Sequence, residues 1–453
     1  MPTVAPTTAP NAPGTERKRK RFPKCAQQRI LCPLDPKHTV AVADLDRHMA
    51  KCNARQRPRP SWHASCVNDA SEPCDVPLAD PLIRSWLPSL PLAVFKQHVA
   101  QIEAAFSRHV EHPTALEHEL RAPVEEQCHS SLKTSGGRAP ENKHLRQQGA
   151  LLHWMEKLDW IGGASEGPPF SRVFVDFGAG KGDLTERVQH AIAYHTGASR
   201  STAPADVRYL LVDRQHFRHK RDVAADESHP ELQRLTMDIQ DLNLAAAPFI
   251  QAVPETAAAL NVMAISKHLC GAATDLTLRC LIKFEAAVSE SSPSKRCSGI
   301  VVALCCHHVC NPSTYVGMEY LQSLGIALPA PDAPVPDLDV FNTLVSLTSW
   351  ATCGRVLPFS ARKHAEEHSG ASADPNHRND PATEPEASKA ALEDEHWSGL
   401  PFEERELLGL KAKQLLNAGR VHYLKKAGWS SVKLVSYVDR STTLENRALI
   451  AHP

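Results

Sequence analysis

The segment RVFVDFGAGKGDLTERVQHAI (172–192) sets the architecture of this chain. A short apolar run comes first, a glycine-rich turn follows, and a helix-like segment comes last. Gly178, Gly180 and Gly182 lie in the turn. Glycine is required where the backbone turns sharply and where a ligand touches the main chain. Because a strand precedes the turn and a helix follows it, the segment predicts a nucleotide-type binding site.

Further apolar runs with β-forming residues follow this segment. They read VRYLLVDR (207–214), LNVMAISKH (260–268) and GIVVALCCHH (299–308), with helix-like segments between them. This alternation predicts an α/β fold with a mostly parallel sheet that is covered on both faces. Near the end, VKLVSYV (432–438) and NRALIAH (446–452) are close enough for an antiparallel hairpin, after a helical stretch at 401–428.

Acidic residues near the turn narrow the identity of the ligand. The glycines are spaced G-x-G-x-G and Asp176 precedes them, whereas a nicotinamide site prefers G-x-G-x-x-G. The arrangement resembles the first motif of S-adenosylmethionine-dependent methyltransferases. Lys181 is not followed by Ser or Thr, so the turn is not a P-loop.

Asp213 ends the next strand, where a carboxylate accepts hydrogen bonds from ribose hydroxyls, and Asp238 is a candidate neighbour of the adenine. The competing interpretation is that these acids only cap strand ends. The predicted cofactor-binding residues are Asp176, Gly178, Gly180, Gly182, Asp213 and Asp238.

The candidate catalytic residues follow from the position of two strand ends. Ligands of open α/β sheets lie beyond the carboxyl ends of the strands. Lys267 and His268 follow one apolar run, and His308 follows another. Each could accept the proton that a hydroxyl must lose as it takes up a methyl group. The cysteines and histidines of ALCCHHVC (303–310) could instead bind a metal. Strand side chains alternate between faces, however, which disfavours one tetrahedral site within that run.

A second small unit precedes the enzyme-like part of the chain. The segment RILCPLDPKHTVAVADLDRHMAKCN (29–53) carries Cys32, His38, His48 and Cys52 in the pattern C-x5-H-x9-H-x3-C. Two cysteines and two histidines suit a tetrahedral structural zinc. The last gap places His48 and Cys52 on one face of a helical turn, and the prolines between Cys32 and His38 suit a loop. A unit of about 30 residues buries too little core to fold alone, so the metal would supply the folding energy.

Composition leaves a short list of cellular settings. Lys plus Arg and Asp plus Glu are both 51 among 453 residues, so net charge does not point to an acidic partner. No apolar run reaches the ~18 residues that a membrane span needs. The N-terminus lacks a secretory apolar region. We therefore expect an intracellular protein of the nucleus and/or cytoplasm, in which the 13 cysteines are thiols or metal ligands.

Several segments together resemble one known family. They are RILCPLDPKHT, FGAGKG, KHLCGAATDLTLRCL, IVVALCCHHVC, YVGMEYLQSLG, SWATCG and LEN, in this order from about Arg29 to the end of the sequence. The chain resembles the eukaryotic tRNA 2′-O-methyltransferases that modify nucleotide 4 of the acceptor stem. The resemblance implies methyl transfer from S-adenosylmethionine to a ribose 2′-hydroxyl of tRNAs for glycine, proline and histidine. It also implies a CHHC zinc finger formed by Cys32, His38, His48 and Cys52.

One departure from the family concerns a CCCH finger that usually precedes the CHHC finger. Only Cys25 resembles its start, so we expect that this finger is lost or that the sequence is incomplete at its N-terminus. The predicted organisation has four parts. They are a disordered basic tail (1–24), the CHHC zinc finger (25–55), a Pro-rich linker and helical region (56–140), and the methyltransferase domain (141–453) with a disordered insertion at about 359–400.

Two alternative functions remain open from the sequence. One is a methyltransferase for another acceptor, an RNA base or a protein. The absence of an N/D-P-P-Y tetrapeptide after the fourth strand favours an oxygen acceptor instead. The other is a non-catalytic zinc-finger protein that binds RNA or belongs to the spliceosome. The intact glycine turn and Asp213 weigh against that alternative.

Overall fold

The computed structural model describes residues 28–52, 59–69, 87–88, 90–110, 143–162, 171–197, 206–217, 231–252, 259–291, 294–326, 336–353 and 396–453. The chain divides into two compact units, Met1–Pro60 and Ser61–Pro453. The predicted tail at 1–24 and most of the predicted insertion at 359–400 lie outside the described residues. Within the described ranges, no helix has the length and apolar character needed to cross a membrane.

The first unit is a hairpin followed by a short helix. Strands β1 (Arg29–Cys32) and β2 (Asp35–Ala41) pair antiparallel. A 3-10 turn (Val42–Asp44) leads into helix α1 (Leu45–Lys51). The prolines between Cys32 and His38 were expected to form a loop. Instead a tight turn after Cys32 places His38 in β2, since two residues are enough to reverse an antiparallel pair.

A seven-stranded sheet forms the centre of the second unit. Its strands are β3 (Ser171–Phe177), β4 (Val207–Asp213), β5 (Leu232–Thr236), β6 (Leu260–Cys270), β7 (Lys295–Cys305), β8 (Ser431–Ser436) and β9 (Arg447–His452). The order across the sheet is β5-β4-β3-β6-β7-β9-β8. β9 runs in the direction opposite to the other six strands, so its pairs with β7 and β8 are antiparallel and the remaining pairs are parallel. This confirms the predicted α/β class and the terminal hairpin, while β5 has no counterpart among the predicted strands.

The helices of this unit cover the two faces of the sheet or form a separate group beside it. They are α2 (Leu92–His109), α3 (Lys143–Lys157), α4 (Asp183–Thr196), α5 (Pro248–Gln251), α6 (Ala272–Ser291), α7 (Met318–Ser323), α8 (Pro336–Thr348), α9 (Trp350–Cys353) and α10 (Phe402–Lys426). Alternate residues of β3 point to opposite faces. Val175 packs in one core with Phe284 of α6, and Phe174 packs in the other with Leu152 of α3 and Val188 of α4.

A third core joins helices that lie outside the sheet. In the sequence, Phe95, Val99, Ile102 and Phe106 recur at helical spacing and predict a helix between Leu92 and Phe106. Helix α2 confirms it, with Phe95 and Ile102 fully buried among residues of α8 and α10. Trp397 contributes to the same core, with its ring 4.9 Å from that of Phe95. Residues 396–400 of the predicted insertion therefore form part of the packed second unit.

A buried ion pair connects this helical part to the sheet. Arg420 of α10 donates from Nε to Asp275 Oδ1 at 3.0 Å and from Nη2 to Asp275 Oδ2 at 2.8 Å. Neither side chain has any exposed surface. Arg420 also donates to the Gly271 carbonyl and to Asn417 Oδ1, and the latter oxygen contacts His307 Nε2 at 2.7 Å. One guanidinium therefore satisfies polar groups of α6, α10 and the loop after β6.

We expect Arg420→Met to lower the free energy of unfolding by about 3–5 kcal/mol, because it leaves the Asp275 carboxylate buried without its partner. Urea denaturation followed by circular dichroism measures the change. The control is Arg440→Met, whose partner Glu406 is partly exposed, and a change of at most about 1 kcal/mol is expected there. Equal, small losses for both variants would show that the buried pair is not a stability determinant.

Candidate active site and metal centre

The glycine turn forms an open stretch of backbone between β3 and α4. Gly178, Gly180 and Gly182 have φ angles of +67°, +56° and +91°, which residues other than glycine rarely adopt. A Cβ on Gly178 would lie 3.0 Å from the carbonyl oxygen of His268, so the turn packs closely against the end of β6. A Cβ on Gly180 would meet nothing within 4 Å. The turn therefore presents uncovered main chain at Gly180, which a cofactor needs in order to approach.

The position of the turn in the sheet also suits a ligand. β3 lies between β4 and β6, and the strand order reverses between β3 and β6. Open α/β sheets bind ligands at such a point, beyond the carboxyl ends of the strands. The turn after β3, Asp213 at the end of β4 and Lys267 near the end of β6 all lie at this edge.

Asp213 holds the glycine turn. Its Oδ2 accepts a hydrogen bond from the Gly180 amide at 2.8 Å, and its Oδ1 accepts one from the Gln215 amide at 2.8 Å. On the other side, Arg234 donates from Nη1 to the Gly180 carbonyl at 2.9 Å. A carboxylate has about four acceptor positions, so half-buried Asp213 retains capacity for ribose hydroxyls.

The other two predicted acids occupy different environments. Asp176 is buried below the turn and accepts a hydrogen bond from Thr185 Oγ1 at 2.8 Å. Burial raises the pKa of this carboxyl to about 7, despite that hydrogen bond. Asp176 thus ties β3 to α4. Asp238 is half-buried and caps a 3-10 turn (Ile239–Asp241) by accepting from the Gln240 amide at 3.0 Å.

A β-bulge redirects the side chains of Lys267 and His268. Ser266 pairs with Val302 and Leu269 pairs with Leu304, so two residues of β6 lie opposite one residue of β7. Bulges often re-aim side chains beside active sites. Lys267 lies half-buried with its Nζ 3.1 Å from Nδ1 of His144 on α3. Burial lowers the pKa of Lys267, and the Asp183 carboxylate opposes this shift.

The two histidines predicted with Lys267, His268 and His308, lie in different surroundings from Lys267 and from each other. His268 lies next to the thiols of Cys270 and Cys305. His308 is half-buried in the turn after β7 and, with His268, favours the Cys306 thiolate. Hydrogen bonds from the Cys270 and Cys305 thiols are the main reason that the pKa of Cys306 is far below that of an ordinary thiol. These cysteines come from the ends of β6 and β7 and the residue after β7, a combination that no single run of the sequence displays.

Glu445 is a further residue of this region that the sequence analysis did not single out. Its Oε1 accepts a hydrogen bond from the Cys306 amide at 3.2 Å, and its Oε2 accepts one from Lys413 Nζ at 2.6 Å. The only sequence signal was its place in the LEN segment that contributes to the family resemblance. Arg420 gave no signal, because its partner Asp275 is 145 residues away in sequence.

In the first unit, the four predicted zinc ligands converge. The two sulfurs of Cys32 and Cys52 are 3.7 Å apart, and the Nε2 atoms of His38 and His48 are 3.1 Å apart. All four ligand atoms lie within 4.8 Å of one another. The cysteines are buried and the histidines half-buried. This donor set and its spacing fit one tetrahedral zinc ion. The Leu34 amide also points at Cys32 Sγ at 3.4 Å, an outer contact common around thiolate ligands.

A class I methyltransferase domain is defined by the mostly parallel sheet, the reversal of strand order between β3 and β6, and the glycine turn with uncovered main chain. A family model described as "Methyltransferase TRM13" matches residues 146–452, and one described as "U11-48K-like CHHC zinc finger" matches residues 29–53. The chain belongs to the TRM13 methyltransferase family and carries a CHHC zinc finger. The family and fold predicted from the sequence are thereby confirmed.

Curated relatives match over nearly the whole chain. The tRNA:m(4)X modification enzyme TRM13 of Yarrowia lipolytica is 31% identical, over 94% of this chain and 82% of its own length. The TRM13 homolog of Mus musculus is 31% identical over 94% and 87%. The Schizosaccharomyces pombe enzyme is 30% identical over 96% and 98%. No solved structure gives a significant match.

We expect Cys32→Ser to remove one equivalent of zinc per chain, because three remaining ligands bind the ion far more weakly. Zinc is measured by inductively coupled plasma mass spectrometry after dialysis against a weak chelator. Cys66→Ser is the control, since Cys66 is an exposed thiol outside the four ligands. Unchanged zinc in Cys32→Ser would exclude Cys32 as a ligand.

Proposed function

We propose that the protein transfers a methyl group from S-adenosylmethionine to the ribose 2′-hydroxyl at position 4 of the tRNA acceptor stem, in tRNAs for glycine, proline and histidine. The observation that carries the proposal is the uncovered glycine turn in a chain whose full-length relatives bear the name tRNA:m(4)X modification enzyme. A tRNA substrate places the activity inside the cell, in the nucleus, the cytoplasm or both. The specificity for the 2′-oxygen and the tRNA set come from the family resemblance.

The cofactor would lie across the glycine turn. S-adenosylmethionine supplies an activated methyl group on a sulfonium. The turn of Gly178, Gly180 and Gly182 would receive it at Gly180, where the main chain is uncovered, while Asp213 would accept from the ribose hydroxyls and Asp238 would lie at the adenine end. Asp176 acts from below by fixing the first turn of α4 through Thr185. In this role it positions the turn without touching the ligand.

Lys267 is the leading candidate for the base that accepts the hydroxyl proton. It lies in the bulge near the carboxyl end of β6, within electrostatic reach of Asp183 directly after the glycine turn, and its lowered pKa increases the fraction of neutral amine near neutral pH. A neutral amine can accept the 2′-hydroxyl proton while the oxygen attacks the methyl group. His308 and His268 are the further candidates that the sequence offers. Alignment of the two reactants supplies much of the acceleration in such displacements.

The zinc finger would bind the folded RNA rather than take part in the chemistry. Lys37, Arg47, Lys51 and Arg55 lie within or directly after it in the sequence, and Arg47 is exposed on α1. Basic side chains that contact phosphates set the register of a complex without reading sequence. An A-form stem is recognised by its shape and by the 2′-hydroxyls of its shallow groove, which agrees with a substrate defined by position.

The direct test is methylation of unmodified tRNA transcripts by the purified chain with labelled S-adenosylmethionine. Nuclease digestion and mass spectrometry should place a ribose-methylated nucleoside at position 4. A methylated base would identify a different acceptor. Binding of tRNA with no transfer would support the non-catalytic zinc-finger alternative.

We expect Gly180→Leu to weaken S-adenosylmethionine binding at least tenfold, because the side chain would fill the space that the cofactor needs. Gly197→Leu is the matched control. It has a similar φ of +64° and open surroundings, but it lies at the C-terminal end of α4. Isothermal titration calorimetry measures both affinities. Equal effects in the two variants would attribute the loss to backbone strain and not to the site.

We expect Lys267→Met to lower kcat by about 10²–10⁴-fold while S-adenosylmethionine affinity changes little, as for loss of a general base. Single-turnover methylation of tRNA and calorimetry provide the two measurements. Lys283→Met is the control, since Lys283 is an exposed lysine on α6. Wild-type turnover in Lys267→Met would remove this residue from the chemistry.

A further inference from the structure

A second group of potential metal ligands lies at the carboxyl ends of β6 and β7. It consists of His268, Cys270, Cys305 and Cys306. Cys270 Sγ is 3.2 Å from His268 Nε2, Cys305 Sγ is 3.4 Å from His268 Nδ1, and the two sulfurs are 3.9 Å apart. One ligand atom from each of the four residues lies within 4.8 Å of the others.

The closeness of the four ligand atoms, with one nitrogen of His268 taken as the ligand, fits a single tetrahedral ion. Zn–S bonds of about 2.3 Å place ligand atoms about 3.8 Å apart in a tetrahedron. The CHHC finger of the same chain gives ligand separations of 3.1–3.7 Å by the same measure. The printed separations of the second group, 3.2–3.9 Å, are close to this range, and both groups keep their four ligand atoms within 4.8 Å of one another.

The backbone explains how four ligands from two strands reach one point. Cys270 and Cys305 are register partners at the ends of β6 and β7. The bulge in β6 turns His268 onto the same side. Cys306 has a left-handed backbone, with φ of 50° and ψ of 45°, so it departs from the alternation that would otherwise separate it from Cys305. That alternation was the reason for disfavouring a metal within residues 303–310, and it ends at Cys305.

Outer contacts hold the strained ligand in place. A non-glycine residue in the left-handed region is strained and persists where the surroundings impose it. The Cys306 amide donates to Glu445, whose other carboxylate oxygen accepts from Lys413. Hydrogen-bonded groups behind the ligands are typical of built metal sites. Glu445 therefore holds the left-handed backbone of Cys306 in the conformation that brings its thiol to the cluster.

We propose that His268, Cys270, Cys305 and Cys306 bind a structural zinc ion in the methyltransferase domain. Three thiolates and one imidazole fill the tetrahedron, so the ion has no open position for a substrate or water. Binding releases the thiol protons to solvent. The ion clamps the end of β6 to the end of β7, beside the His268 carbonyl that packs against Gly178. The proposal assigns His268 to metal binding rather than to proton transfer. It does not depend on which acceptor the enzyme methylates.

The test is the zinc content of the full-length chain purified under reducing conditions. We expect two equivalents in the wild type, one in Cys270→Ser, one in Cys32→Ser, and none in the double variant. Cys280→Ser is the control, because Cys280 is a buried thiol of α6 outside the cluster. A wild-type chain with one equivalent, lost entirely in Cys32→Ser, would overturn the proposal.

A second measurement does not depend on the folding of cluster variants. X-ray absorption at the zinc edge of Cys32→Ser should show three sulfur neighbours at about 2.3 Å and one nitrogen at about 2.0–2.1 Å. Two sulfurs and two nitrogens would contradict the assignment. Alkylation with mass spectrometry would detect a Cys270–Cys305 disulfide, and finding that bond in the reduced, metal-supplemented protein would also overturn it.

Discussion

The Arg420–Asp275 ion pair constrains the arrangement of everything around the carboxyl ends of β6 and β7. Both partners are fully buried, so neither tolerates the absence of the other in a low-dielectric interior. The guanidinium has five donors, which reach α6, α10, the loop after β6 and Cys310 in the segment after β7. Movement of α10 would therefore expose several unsatisfied groups at once. The need to keep these groups paired fixes the position of the helical part relative to the sheet.

The ion pair also fixes the carboxyl-end edge of the sheet, where the glycine turn lies. The Gly271 carbonyl that Arg420 holds directly follows Cys270, and a Cβ on Gly271 would lie 2.7 Å from Val309 in the turn after β7. The two strand ends are consequently packed backbone to backbone. The same end of β6 presents the His268 carbonyl to Gly178 of the cofactor turn. Rigid support behind a turn of positive-φ residues keeps it pre-organised for its ligand.

Local patterns in the sequence predicted the parts of the molecule that depend on near neighbours. The strand–turn–helix at 172–192, the helix containing Phe95 and Ile102, and the CHHC ligands each fall within a short segment. The cysteine cluster and the buried ion pair were beyond such reasoning. Strand periodicity cannot anticipate the bulge at Lys267 or the left-handed Cys306, because both arise from pairing and packing with distant residues. Glu445 contacts Cys306 from 139 residues away.

The position of β9 has a consequence for biosynthesis. This strand lies between β7 and β8, although it follows both in the sequence. A nascent chain on the ribosome can form β3 to β7 early, yet one edge of β7 stays unpaired until residues 447–452 leave the exit tunnel. An open strand edge is a template for association with other chains. The sheet therefore closes only after β9 has emerged, and until then the free edge of β7 can pair with another chain.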